Sequence, residues 1–454
     1  MQEMHTHISK PFLDSLCEKM RLNNHIDHNS YEAYNVKRGL RNLDGTGVMA
    51  GVTRIGNVHG YIINDGSRVP DDGRLYYRGI SVEEIIDTIT LEGRHGFEEV
   101  CYLLLLGALP TAKELSDFNS LIASARQLPA GFTDDIIFKS PSRNIMNTLG
   151  RAALALYSYD DRPEDTSVEN LLRQSIEIIA RFPTIVAHAY SVKKYFYDKR
   201  SLHINLPDPE LSTAENFLRM YRSDRQYTRE EAQMLDLCLI LHAEHGGGNN
   251  SVFVDRAMTS TGTDTYAAIS AAIGSLKGPK HGGANLKIVE MLDEIAANVK
   301  DHADDDEIYA YVTKILNREA GDGSGLIYGM GHAVYTKSDP RAIILKEYGR
   351  RLARQKDIED KFLLIDSVER LAAKAFADRG GTKVIAANVD MYSGFVYRML
   401  GIPDEVFTAL FAISRIAGFC AHRIEESMTG GRIMRPAYKD IGEIKEYVPI
   451  GYRK

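Results

Sequence analysis

Residues 228–245, TREEAQMLDLCLILHAEH, decide how this chain is built. Thr228 and Glu231 stand at the spacing of a capping box, which marks the start of a helix. Behind them apolar residues recur at i, i+3 and i+4, the period of a helix with one face turned to a core. Glu231, Leu235, Cys238, His242 and His245 fall on one side at that period. Both histidines are therefore expected to continue an inward stripe, with Gly246 to Gly248 ending the helix.

The same period runs through SVEEIIDTI, GFEEVCYLLLLGALPT, RNIMNTLGRAALALYS and NLLRQSIEIIARFPTIVAHAYSVKKY, and again at 283–297, 304–317, 340–354, 358–379, 391–400 and 404–427. Strand signals are confined to the N-terminal part, in GVMAGVTRIGNVHGYIIN and GRLYYRGI, with NDGSRVPDDG read as turns between them. The expected class is mainly α with a small N-terminal β-hairpin region. Glycine-rich joints at 278–283, 321–331, 379–382 and 430–431 offer hinges between lobes.

With 44% hydrophobic and 26% charged residues among 454, the chain can bury a large core. A net charge of −7 argues against nucleic acid as a partner and leaves room for local basic sites. The four cysteines, 17, 101, 238 and 420, form no CxxC pair and read as reduced thiols of a cytoplasmic protein. No uninterrupted apolar run reaches about 18 residues, and the N-terminus lacks the layout of a signal peptide, so no membrane partner is expected.

Five stretches could carry chemistry. In LHAEHGGGNN, 241–250, the order H-x-E-H fits neither H-E-x-x-H nor H-x-x-E-H, so no metal is expected; a substrate contact and a pair of satisfied core histidines both remain open. His281, in GPKHGG, sits in a glycine-rich turn just before a helix, where N–H groups favour anions and a neutral imidazole. His332 follows Gly329 and Gly331, and Asp339-Pro340 reads as N-cap and first residue of the next helix. That puts the cation of Arg341 against the positive end of a helix, a conflict that an anionic ligand would remove; an arginine simply exposed to solvent is the other reading. Asp390 opens another helix, as an N-cap or as a buried carboxylate base. Arg415 is the only formal charge from Val406 to His422 of an apolar helix, so its partner must come from a distant acid or from a ligand. Histidines, a carboxylate and arginines together suit proton abstraction next to a carbonyl on an anionic substrate.

Six segments in order, FEEVCYLLLLGALPT, LHAEHGGGNNS, GPKHGGAN, GMGHAVYTKSDPR, NVDMYSG and FAISRIAG, resemble the citrate synthase family from about Tyr77 to Arg435. The resemblance implies a citrate-synthase-like two-domain helical fold, with 1–283 and 399–454 forming the large domain and 284–398 the small one. It implies an acyltransferase of the tricarboxylic acid cycle that condenses acetyl-CoA with oxaloacetate, with CoA as co-substrate and no permanently bound cofactor. By the same resemblance His281, His332 and Asp390 are catalytic, and His245, Arg341, Arg415 and Arg435 bind oxaloacetate. Arg435 would reach the neighbouring site of a homodimer or larger homo-oligomer. Tyr328, Gly329, Met330, Gly331 and Lys383 would line the CoA side, and His242 would brace His245. The nearest rival is 2-methylcitrate synthase, using propionyl-CoA, since one methylene is worth only about 1–3 kcal/mol in a pocket. Citryl-CoA lyases share the motifs, but the chain carries no G-x-x-x-x-G-K-[ST] loop. A non-catalytic CoA- or dicarboxylate-binding protein on this scaffold is the remote alternative.

Overall fold

The computed structural model describes residues 9–380 and 384–453, and they are mostly helical. They fall into two compact units, the described parts of Met1–Met49 with Arg435–Lys454, and Ala50–Met434. In the first unit the helix Lys10–Asn23 buries no residue. Phe12, Leu13, Leu16 and Met20 lie on one of its faces and stay 43–58% exposed, an apolar stripe without cover among the described residues.

The second unit is organised around the helix Phe407–Thr429. Packed on it are the helices Phe97–Leu106, Val168–Tyr197, Arg229–His242, Asn250–Thr259 and Thr265–Leu276. Among the described helices it alone has the length and hydropathy of a membrane span, and 89% of its apolar window is buried inside the protein, as a core helix requires. The expected small domain lies wholly within this unit. Its helices Ala284–Asn298, Asp305–Leu316, Pro340–Gln355, Glu359–Asp378 and Asp390–Met399 pack on one another, and Pro340–Gln355 also touches Arg229–His242.

Two local expectations are corrected. The 228–245 helix has its capping box, Thr228 and Glu231 exchanging bonds of 3.2 Å, but it stops at His242. Its last carbonyls are taken from outside: the Tyr77 hydroxyl sits 2.9–3.3 Å from the carbonyls of Ile240, Leu241 and Glu244. Arg415 Nε donates to the carbonyl of His242 at 2.7 Å. With those acceptors satisfied the chain can leave the helix early, so His245 is aimed independently of it. The second correction concerns the hairpin. β1 (Gly56–Asn64) and β2 (Ser67–Tyr77) are joined by a turn of only Asp65 and Gly66, both at positive φ. The SRVPDDG stretch is strand, not turn. Pro70 fits because β2 meets the short β3 (Ile80–Ser81) only at Tyr76 and Tyr77, which leaves the rest of it an edge.

Candidate active site

Arg415 centres the site. It is fully buried, its planar group lies 4.7 Å over the Phe411 ring, and Nη1 and Nη2 have no partner among the described residues. No described carboxylate stands within ion-pair reach. Burial pushes its pKa down to about 10 against the pull of Glu244, with the like charge of Arg341 adding to the fall. A guanidinium held dry with both terminal nitrogens open is a preformed fork for a carboxylate.

Around it stand the two histidines of the 241–250 stretch. His242 donates from Nδ1 to the Cys238 carbonyl at 2.8 Å and packs edge-on to Phe411 at 4.8 Å. His245 is buried, and its Nε2 has no partner among the described residues. Burial, then the charge of Arg341, hold its pKa well below the ordinary imidazole value, so the ring is neutral. Its ring lies 5.1 Å from that of His332. No group of three or more His, Cys, Asp or Glu among the described residues is arranged to hold a metal ion.

His332 Nδ1 accepts the N–H groups of Val334 (3.0 Å) and Tyr335 (3.1 Å). Backbone N–H can only donate, so the neutral ring carries its proton on Nε2, and that atom is a donor. Arg341 resolves its conflict with the helix start differently from expectation. Asp339, the N-cap, takes it in two bonds, Nε–Oδ1 at 3.0 Å and Nη2–Oδ2 at 2.7 Å. Asp339 Oδ2 also accepts the N–H of Val389 at 3.2 Å, tying this helix start to that of Asp390.

Asp390 is the first residue of its helix rather than the cap; Asn388 Oδ1 accepts its N–H at 3.0 Å. The carboxylate makes no hydrogen bond or ion pair to a described residue. Burial raises its pKa to about 6, against Arg341 and Arg415 and with help from Asp339. A carboxylate in that state is a stronger base than a solvated one and still ionised at neutral pH. His281 lies in the turn before Ala284–Asn298 as expected, and burial, then Arg415, lower its pKa to about 4. Its Nε2 is 2.9 Å from Ser251 Oγ and 3.0 Å from Asn249 Oδ1.

The 328–331 turn is stitched to the segment leading into Asp390. Gly331 N–H donates to Ala386, and Gly329 and Gly331 carbonyls accept from Asn388. Tyr328 donates to Asp322 at 2.7 Å. Lys383 lies outside the described residues, and Arg435 is an exposed residue of the other unit. Sequence reasoning also passed over Asn249, Ser251 and Tyr335 as individual actors. Only their position beside the histidines could have flagged them.

An open groove of about 710 Å³ lies elsewhere, at the start of Arg229–His242. Its cations Arg222 and Lys356 already pair with Glu231, and Arg398 with Asp293 and Asp404.

A helical body in which buried arginines and neutral histidines surround a raised carboxylate defines an enzyme site for a small anionic substrate. The family described as citrate synthase, C-terminal domain, matches residues 42–437. The citrate synthase of Deinococcus radiodurans is 36% identical over 385 residues, spanning 84% of this chain and 94% of that one. The citrate synthase of Synechocystis sp. is 33% identical, spanning 90% and 92%. Among solved structures, the ternary complex of Thermoplasma acidophilum citrate synthase with carboxymethyl coenzyme A and oxaloacetate aligns with a TM-score of 0.75 at 29% identity, covering 92% of this chain and 99% of that one. The Thermotoga maritima enzyme aligns at 0.72 and 32%, with coverage of 92% and 99%. The chain belongs to the citrate synthase family. It is an enzyme of the acyltransferases that convert the acyl group to alkyl on transfer.

Proposed function

We propose that this enzyme condenses acetyl-CoA with oxaloacetate and hydrolyses the resulting citryl-CoA to citrate and CoA. The observation that carries the reading is the open guanidinium of Arg415, dry and facing neutral histidines. Oxaloacetate supplies the carboxylates that Arg415, Arg341 and His245 bind, with Arg435 of the partner subunit of a homodimer completing the set. Asp390 removes a proton from the acetyl methyl group. His281 donates from Nδ1 to the thioester oxygen as the enol forms, so its Nε2 accepts from the Ser251 hydroxyl and Asn249 turns its amide nitrogen towards the ring. Ser251 thereby sets the tautomer. The enol carbon attacks the ketone, polarised by Nε2–H of His332, and water then cleaves the citryl thioester. The turn 328–331 and Lys383 serve the CoA side.

Residues 284–398 act as the small domain and close over the site. That keeps water from acetyl-CoA until the carbon–carbon bond exists. The test is thiol release by purified protein given oxaloacetate with acetyl-CoA or propionyl-CoA. Oxaloacetate-dependent release preferring acetyl-CoA is the expected result. A propionyl preference would reassign the enzyme to 2-methylcitrate synthesis, and no release from folded protein with either thioester would sink the reading.

A further inference from the structure

From Ser67 to Leu75 the outer edge of β2 has no strand beside it among the described residues. The loop 333–338 takes that edge instead. Arg68 Nη2 donates to the carbonyls of Ala333 (3.3 Å) and Val334 (3.0 Å). Asp71 N–H donates to Thr336 Oγ1 at 3.1 Å, and the Thr336 hydroxyl is shared between the carbonyls of Gly60 and Asp71. Gly73 N–H donates to Ser338 Oγ at 3.0 Å.

These bonds fall where the hairpin is irregular. Between the pairs His59–Arg74 and Tyr61–Pro70, Gly60 alone faces Asp71, Asp72 and Gly73. A Cβ on Gly60 would lie 2.6 Å from Tyr335 Cα, and one on Gly73 would lie 2.1 Å from the Ser338 carbonyl oxygen. Both glycines have ordinary φ, so what they supply is room for the loop backbone. Tyr335 carries the contact inwards. It is buried, its edge meets Gly73, and its ring lies 4.7 Å from His332 and 5.5 Å from His245. At its root the hairpin is fastened by Tyr77 to the end of Arg229–His242.

We infer that this hairpin is a positioning device for the keto-acid half of the site. Through Tyr335 it fixes the ring planes of His332 and His245, with Arg68, Thr336, Gly60 and Gly73 as positioning residues. None of the four touches substrate. The inference rests on the reading of both histidines as oxaloacetate contacts. Displacing a reacting group by an ångström costs about a hundredfold in rate, so looseness here is felt in turnover before it is felt in folding.

The experiment compares Thr336→Val and Gly73→Ala with the rescue variant Thr336→Ser and with Ile63→Ala, an exposed residue of β1 near the turn, as control. Each is read by steady-state kinetics, by amide hydrogen exchange over 333–338 and by melting temperature. For Thr336→Val and Gly73→Ala the expected result is a fall in kcat of about tenfold or more, a higher KM for oxaloacetate, an unchanged KM for acetyl-CoA and faster exchange in the loop. Thr336→Ser and Ile63→Ala should match the wild type. Unchanged kcat and unchanged loop protection would overturn the inference, as would an equal rise in both KM values. Should Thr336→Val fail to fold, Arg68→Ala, at a partly exposed side chain, asks the same question. If the wild type released no CoA, the reaction reading would fall, and exchange alone would still decide whether the hairpin holds the loop.

Discussion

In the proposed reaction two residues set the terms of the chemistry. Arg415 is a cost to the ligand-free protein, because a buried cation without an ion-pair partner among the described residues forfeits hydration. Arg415→Met should therefore raise the melting temperature of the ligand-free enzyme by the equivalent of about 1–3 kcal/mol, reduced by about 1 kcal/mol for the lost bond to the His242 carbonyl. The same variant should lose the thermal shift that oxaloacetate gives the wild type. A variant that is less stable and still responds to oxaloacetate would show that Arg415 is structural. If Asp390 is the base, it sets the pH response. Its pKa of about 6 comes from burial, and a base works only when ionised. kcat/KM should fall on the acid side with a midpoint near pH 6 and stay flat above it, since His281, near 4, is neutral throughout. A limb at the ordinary carboxylate value in the free enzyme would refute that role. Arg415 was legible from the sequence because a lone charge in an apolar helix demands an explanation. Tyr335 was not, because nothing in its spacing shows that a hairpin more than 250 residues earlier presses it against two histidines.

Periodicity located the helices well: 340–354 and 358–379 land within a residue of Pro340–Gln355 and Glu359–Asp378. It failed where distant partners decide. Arg229–His242 ends where Tyr77 and Arg415 reach its carbonyls, and β2 runs through a proline because its outer side pairs with a loop. The helix Asn250–Thr259 holds another feature invisible to spacing. Asp255 is fully buried with neither oxygen bonded to a described residue, and burial raises its pKa to about 7 despite Arg423 and Arg256, with Glu426 adding to the rise. Between the unfolded value near 3.8 and the folded value near 7, the folded chain holds the extra proton. Stability must then fall as pH rises through that window, by at most about 4 kcal/mol. Asp255→Asn should flatten this part of the curve, giving a higher melting temperature than wild type at pH 8 and little difference at pH 4. Arg423 keeps Thr259, Thr263 and Thr265 as partners, and Arg256 keeps Glu425 and Glu426. Parallel melting curves for the two proteins from pH 4 to 8 would refute the account.

At the scale of the whole molecule, the question is whether one chain holds a complete site. The body 50–434 contains His245, His281, His332, Arg341, Asp390 and Arg415, whereas Arg435 belongs to the unit built from both chain ends. That unit also carries the apolar face of Lys10–Asn23, exposed among the described residues. If Arg435 serves the partner's site, two inactive variants can repair each other. In a mixed dimer of Asp390→Asn and Arg435→Ala, one site combines both lesions. The other combines an intact Asp390 with the intact Arg435 of the partner subunit. Random reassortment makes about half of the dimers mixed, each with one working site, so activity should return to about a quarter of wild type. If Arg435 acts within its own chain, each mixed-dimer site keeps one lesion and no activity returns. Unfolding and refolding the variants together, then assaying CoA release against each refolded alone, separates the two outcomes.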